Sequence, residues 1–204
     1  MKSKRLIVAT SNRGKLKEFA AMLEPLGFEL ASLVDYPELA EVVEDGASFA
    51  ANAQKKAEEI SKQLQLPVLA DDSGLVVDAL AGAPGIYSAR YAGDPRSDSR
   101  NIEKLLNDLK LVPPAKRAAR FVAALALAIP GQETLIVEGT CEGVIATAPA
   151  GSEGFGYDPV FYLPERKQMM AELTADEKNK ISHRANALQK LTSLLVENSF
   201  ADFR

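Results

Sequence analysis

Cysteine is almost missing from this chain: Cys141 is the only one in 204 residues, so no disulfide can close within it and no cysteine cluster can hold zinc. That usage predicts a reducing compartment, the cytoplasm. Histidine is equally scarce, and His183, with no cysteine or second histidine beside it, is a poor metal ligand. Excess positive charge is absent as well. A formal net charge of -4 excludes a chain that holds long nucleic acid by counterion release, so any phosphate site must be local. Long apolar runs are lacking too. The longest, residues 121–129, is about half of what a helix needs to cross a bilayer, and the basic start breaks its short apolar run at Thr10, unlike a secretory signal. A soluble protein with no membrane or nucleic-acid partner is expected.

What is present suffices for a real core: 47% of residues are apolar and 25% charged. Leu6 to Ala9 reads as a buried strand, broken by Ser11-Asn12-Arg13-Gly14-Lys15. Leu16, Phe19, Ala20 and Leu23 then recur as one helix face, ending before Pro25 and Gly27. A second helix is predicted from about Ser48 to Leu64, after an acidic segment from Glu41 to Asp45. Pro67 to Ala70 reads as a strand that empties into Asp71-Asp72-Ser73-Gly74. Gly82 to Asp98 reads as a long loop, followed by a helix with Asp98 as N-cap. Residues 121–129 and 135–147 look like antiparallel sheet turning at Pro130-Gly131. A last helix opens at the capping-box pattern Thr174 to Glu177 and runs to about Val196. Without repeats or a flexible linker, the whole chain, 1–204, is expected to be one domain of the α/β class with a mixed sheet.

Three constellations suggest chemistry. Thr10, Ser11, Asn12, Arg13, Gly14 and Lys15 bring hydroxyls, amides and an ammonium to a helix start, where unpaired N–H groups and the helix dipole attract phosphate; Leu16 at the hydroxyl position excludes a Walker A loop. Glu44 and Asp71-Asp72 are acids of the kind that hold Mg²⁺ together with water and phosphate oxygens, whereas Glu41 and Asp45 read as solvated surface acids. Alternation along a strand lets at most one of Asp71 and Asp72 face the site directly. Late in the chain come Gly154-Phe155-Gly156-Tyr157-Asp158, then Lys178 and Ser182-His183-Arg184. An aromatic between glycines can stack a base, and His183 read alone is a helix-surface side chain.

In order and spacing these motifs resemble the inosine/xanthosine triphosphate pyrophosphatases over residues 6–191. The likeness runs through Thr10 to Lys15, Glu44-Asp45-Gly46, Phe49, Asn52-Ala53, Lys56, Ala70 to Leu75, Gly82 to Gly85, Ser88 to Tyr91, Gly154 to Pro159, Ala171 to Leu173, Lys178 and Ser182 to Arg184. Two residues depart from the family pattern. Ser11 stands where the family has glycine, and Ala51 where it has glutamate, a loss that would remove an outer contact to the metal.

The resemblance implies a twisted mixed sheet with flanking helices forming two lobes around a cleft, a homodimer, and Mg²⁺-dependent release of pyrophosphate from inosine and xanthosine triphosphates. It implies Asp72 as general base and metal neighbour, Glu44 as the main Mg²⁺ ligand, and Lys15, Lys56 and Lys178 as counter-charges to the phosphates. Substrate contacts are expected from Thr10 to Lys15, Lys56, Ser73, Phe155 to Asp158, Lys178, His183 and Arg184. Donors at His183 and Arg184 suit the 6-oxo group of hypoxanthine or xanthine and would meet the 6-amino group of adenine donor to donor. The dimer surface is expected near Ile86 and Tyr87.

Overall fold

The computed structural model describes residues 4–40 and 42–197; Glu41 of the acidic segment lies outside the described residues. Along the chain, β1 (Lys4–Ala9) is followed by α1 (Arg13–Leu23), β2 (Phe28–Ser32), α2 (Phe49–Leu64), β3 (Val68–Val77) and α3 (Asp98–Asp108). Then come β4 (Ala118–Ala128), β5 (Leu135–Ile145), β6 (Phe161–Leu163), β7 (Gln168–Met169), α4 (Ala175–Ile181) and α5 (His183–Glu197). The strands form one seven-stranded sheet in the order β2-β1-β3-β4-β5-β6-β7. β1 lies parallel to β2 and β3, while β6 is antiparallel to β5 and β7, which is the expected mixed α/β sheet.

Two compact units divide the chain, Met1–Asp72 with Ala123–Gly139 and Arg184–Arg204, and Ser73–Val122 with Thr140–His183. In the first, β1 is buried on both faces. Leu6 and Val8 join Phe19, Leu23 and Leu188 from α1 and α5, and the alternate residues Ile7 and Ala9 meet Ala53, Ala57 and Ile60 of α2. The residues of β4 divide in the same way: Leu125 and Leu127 fill the first cluster, and Ala124, Ala126 and Ala128 the second. The small side chains let α2 pack close. The second unit has its own core around Leu75, Leu105, Leu109, Phe121, Phe161 and Leu173.

Four expectations about elements change. β3 does not stop at Ala70 but continues through Asp71 and Asp72 to Val77, because the carboxylates find partners and need no loop to keep them wet. Ser97, not Asp98, caps α3, since its hydroxyl takes the Arg100 N–H. The long loop after Gly82 holds a 3₁₀ segment at Gly85–Arg90, tied down by buried Ser88, whose hydroxyl accepts from the Leu75 N–H at 2.9 Å. The last helix is two helices. The capping box of Thr174 and Glu177 forms as expected, yet Ser182 adopts extended backbone angles and parts α4 from α5. β6 and β7 have no counterpart among the expected elements, and neither has β2. β2 follows Gly27, whose positive φ of 86° reverses the chain out of α1.

Candidate active site

Strand register brings the first two constellations together. Ala9 of β1 pairs with Ala70 of β3, so the residues that follow, Thr10 on one strand and Asp71-Asp72 on the other, leave the same end of two parallel neighbours. Between β1 and α1 the loop is braced from within. The Thr10 hydroxyl accepts from the Asn12 N–H at 3.1 Å, and the Asn12 side chain, as N-cap, accepts from Gly14 at 2.8 Å and Lys15 at 3.1 Å. Two first-turn amides expected to face phosphate are therefore already satisfied by the cap. Ser11 and Arg13 are exposed.

Alternation along β3 sends its two acids to different partners. Asp71, fully buried, receives the Lys15 ammonium at 2.5 Å and the Arg184 Nε at 3.4 Å, and Arg184 in turn donates to Glu18 at 2.8 Å. Glu18 lies three residues after Lys15 on the same face of α1. Two cations and two anions thus neutralise one another out of water. Burial lowers the Lys15 pKa, Asp71 opposes that, and the Arg184 and Lys56 charges lower it further.

Asp72 belongs to a second group. The Asn52 amide, on the first turns of α2, donates to its carboxylate at 2.9 Å, and Lys56, one turn on, pairs with Glu44. The Asp72 carboxyl titrates above the ordinary aspartate range. Burial is the largest cause and the Glu44 charge adds to it, while the Asn52 bond, Lys56 and Lys15 act the other way. Asp45 is the exposed neighbour it was expected to be, paired with Lys55 at 2.7 Å.

Among the described residues no cluster of three metal-binding acids, cysteines or histidines occurs. What the site offers is two carboxylates, Glu44 and Asp72, close enough for one to raise the pKa of the other, with lysines around them. An oxygen-only, partly open pair of this kind fits a hard divalent cation that keeps water and takes phosphate oxygens for the rest of its shell.

The third constellation lies in the second unit. Asp158 organises its loop: its Oδ2 accepts from the Phe155 N–H at 2.9 Å and from Lys178 at 2.6 Å, and the Lys178 ammonium stands 4.5 Å from the centre of the Phe155 ring. Gly154, at φ 80°, has no room for a side chain, since a Cβ would run into the Asp158 carboxylate. The Gly156 N–H donates to Asp98 at 2.7 Å, and buried Tyr157 donates its hydroxyl to the Ser88 carbonyl at 2.8 Å. Ser73 begins the part of β3 that belongs to this unit. His183 is not on the surface. It is 4% exposed and stacks on Phe121 with ring centres 4.9 Å apart.

The model of the Ham1 family matches residues 6–194. The chain belongs to the Ham1 family. It is 59% identical over 188 residues to a dITP/XTP pyrophosphatase of Geobacillus kaustophilus, with 92% of each chain covered. It is 53% identical over 192 residues to one of Bacillus subtilis, covering 94% of this chain and 97% of that one. Among solved structures, the Staphylococcus aureus Ham1 protein superposes with a TM-score of 0.85 at 41% identity, covering 95% of this chain and 99% of that one. A nucleoside-triphosphatase / dITP/XTP pyrophosphatase from Mycobacterium abscessus does so with a TM-score of 0.75 at 48% identity, over 92% and 98%.

In this Ham1 family chain Glu18 and Asn52 take part in the site although their sequence positions suggest no role, and Asp98, expected only as a helix cap, accepts from Gly156. Glu18 and Asn52 carried a usable signal, as polar residues on faces their helices bury, 9% and 2% exposed. Ala51 lies in the first turn of α2. Ser48 caps α2 by accepting from the Ala51 N–H at 3.1 Å, so position 51 is the third helical residue, where a glutamate would complete a capping box.

Proposed function

We propose that the chain hydrolyses abnormal purine nucleoside triphosphates, dITP, ITP and XTP, to the nucleoside monophosphate and pyrophosphate, which keeps them out of the precursor pools for nucleic acids. The observation that carries this reading is the Asp72 group: a buried carboxylate of raised pKa, held by Asn52 and under the charges of Glu44, Lys56 and Lys15. The family membership and the names of close relatives point the same way.

In this mechanism Asp72 accepts a proton from the water that attacks the α-phosphorus. Its raised pKa makes it a stronger base than a solvated aspartate, and such proton transfer contributes about 10²–10⁴-fold to rate. Oxygen from water bonds to phosphorus, the α–β anhydride bond breaks, and pyrophosphate leaves with that electron pair. Lys15 and Lys56 offset the negative charge that builds on the leaving group, and Asp71 serves by holding the Lys15 ammonium in place. Glu44 and Asp72 would hold Mg²⁺, which when bound would polarise phosphate oxygens. Hydroxyls of Thr10 and Ser11, the Asn12-Arg13-Gly14 turn and Ser73 are further substrate contacts in this reading. Phe155, Gly156, Tyr157, Asp158 and Lys178 shape the nucleoside contacts, and donors from His183 and Arg184 select a 6-oxo purine. Rejection of a 6-amino base at about 1–3 kcal/mol per unpaired buried group gives on the order of tenfold to a hundredfold discrimination per contact.

A cytoplasmic homodimer completes the proposal. Buried, unpaired Cys141 suits a reducing compartment, and Tyr87, 57% exposed beside Ile86, is the apolar surface offered to a second copy. A panel of dITP, XTP, ITP, GTP, ATP and dTTP, assayed for pyrophosphate with and without Mg²⁺, tests the activity. Turnover of dITP, XTP and ITP is expected only with the metal, and preference for dTTP would overturn the purine reading.

A further inference from the structure

Both ends of the Asn52 side chain are spent. Its Nδ2 donates to Asp72 Oδ2 at 2.9 Å, and its Oδ1 accepts from the Gly46 N–H at 2.7 Å. Asn52 is 2% exposed and belongs to a helix turn fixed by the Ser48 cap, with its own N–H bonded to the Ser48 carbonyl at 3.1 Å. Four residues on, Lys56 projects from the same face and pairs with Glu44. One helix face therefore grips the acidic loop twice, at Gly46 and Glu44, and reaches Asp72 on β3. Gly46 is shaped to this contact. A Cβ there would stand 2.7 Å from Asn52 Oδ1 and 3.0 Å from the Ala51 Cβ, so a larger residue would lift the loop away.

We infer that Asn52 is a positioning residue for the reaction: its amide locks the Asp72 carboxylate and the loop carrying Glu44 to one turn of α2, and thereby sets the two acids that would hold the divalent cation. This rests on the hydrolytic reading above. The amide meets both demands at once, since the Gly46 N–H needs an acceptor and ionised Asp72 needs a donor. An aspartate at 52 would keep the first bond and set acceptor against acceptor at the second. The bond also leaves Asp72 with one oxygen steered, as outer contacts do for metal-binding carboxylates.

Wild-type, Asn52→Ala and Asn52→Asp proteins distinguish this from a purely structural role. Each is titrated with Mn²⁺ alone, followed by the EPR signal of the free ion, and assayed for pyrophosphate release from dITP at saturating Mg²⁺, with thermal melting as a check on folding. Asn52→Ala is expected to bind Mn²⁺ and turn over roughly 10–100-fold less well. Asn52→Asp, which retains the Gly46 bond and the fold, is expected to lose kcat by about tenfold or more with KM nearly unchanged, because the phosphate-binding lysines are untouched. A folded Asn52→Asp with wild-type kcat, or Asn52→Ala with wild-type Mn²⁺ affinity, overturns the inference. Failure of the wild-type chain to act on dITP, with Mn²⁺ binding still lost in Asn52→Ala, would instead overturn the activity and leave the positioning role standing.

Discussion

The Lys15 ammonium lies 2.5 Å from the carboxylate of Asp71, a side chain with no exposure to solvent. Asp71 opposes the burial that lowers the Lys15 pKa, and Arg184 and Glu18 extend the pair into a wider charge network.

Replacement of Asp71 by asparagine takes from Lys15 and Arg184 the carboxylate charge they share, while Glu18 still pairs with Arg184. Loss of one member of a buried ion pair costs about 3–5 kcal/mol. Urea denaturation at pH 7 is expected to show a loss of that size, with a raised KM for nucleotide as Lys15 loses its anchor.

Asp72→Asn should separate stability from activity. Folding raises the Asp72 pKa, so the unfolded chain ionises at lower pH and the charged carboxylate works against folding at pH 7; acidification through the folded pKa relieves that cost. In metal-free protein the neutral variant is expected to melt at or above the wild-type temperature. Its pyrophosphate release should fall by about 10²–10⁴-fold. A variant that melts well below wild type would show that the ionised side chain holds the fold together.

Ala51→Glu completes the capping box opened by Ser48 and places an acid in a first helical turn that has none. A gain of about 0.3–1 kcal/mol is expected, read as an upward shift in melting temperature. The Mg²⁺ concentration for half-maximal activity should not change; a marked drop would return position 51 to the metal site.

Burial pushes the Cys141 thiol from 9.0 up to about 11. Between those values the unfolded chain releases the proton first, so stability is lost as pH rises from about 9 to 11. The native protein is expected to react with an anionic disulfide reagent far more slowly than free cysteine at pH 8, and to speed up only on unfolding. Rapid labelling of native protein at that pH would contradict the buried environment.

Local sequence was enough for the elements near the first loop. Leu6 to Ala9 and the Leu16-Phe19-Ala20-Leu23 face show their periodicities within a dozen residues, and Asn12, Ser48 and Thr174 cap the helices they precede. Signals fail where the deciding contact is distant. β2 has no clean alternation and exists because β1 pairs with it, and the break at Ser182 has no proline or glycine to announce it.

Composition and spacing by themselves determined the α/β class, the positions of the acids and lysines, and the likeness to a nucleotide-hydrolysing family, because each depends on residue type and short-range order. Tertiary structure alone decided which partners each acid meets. Asp71 and Asp72 are adjacent and chemically identical, yet the pleat of β3 turns one toward Lys15 and Arg184 and the other toward Asn52. Those partners come from helices far away along the chain, and their burial and charge set the properties that a lone aspartate lacks.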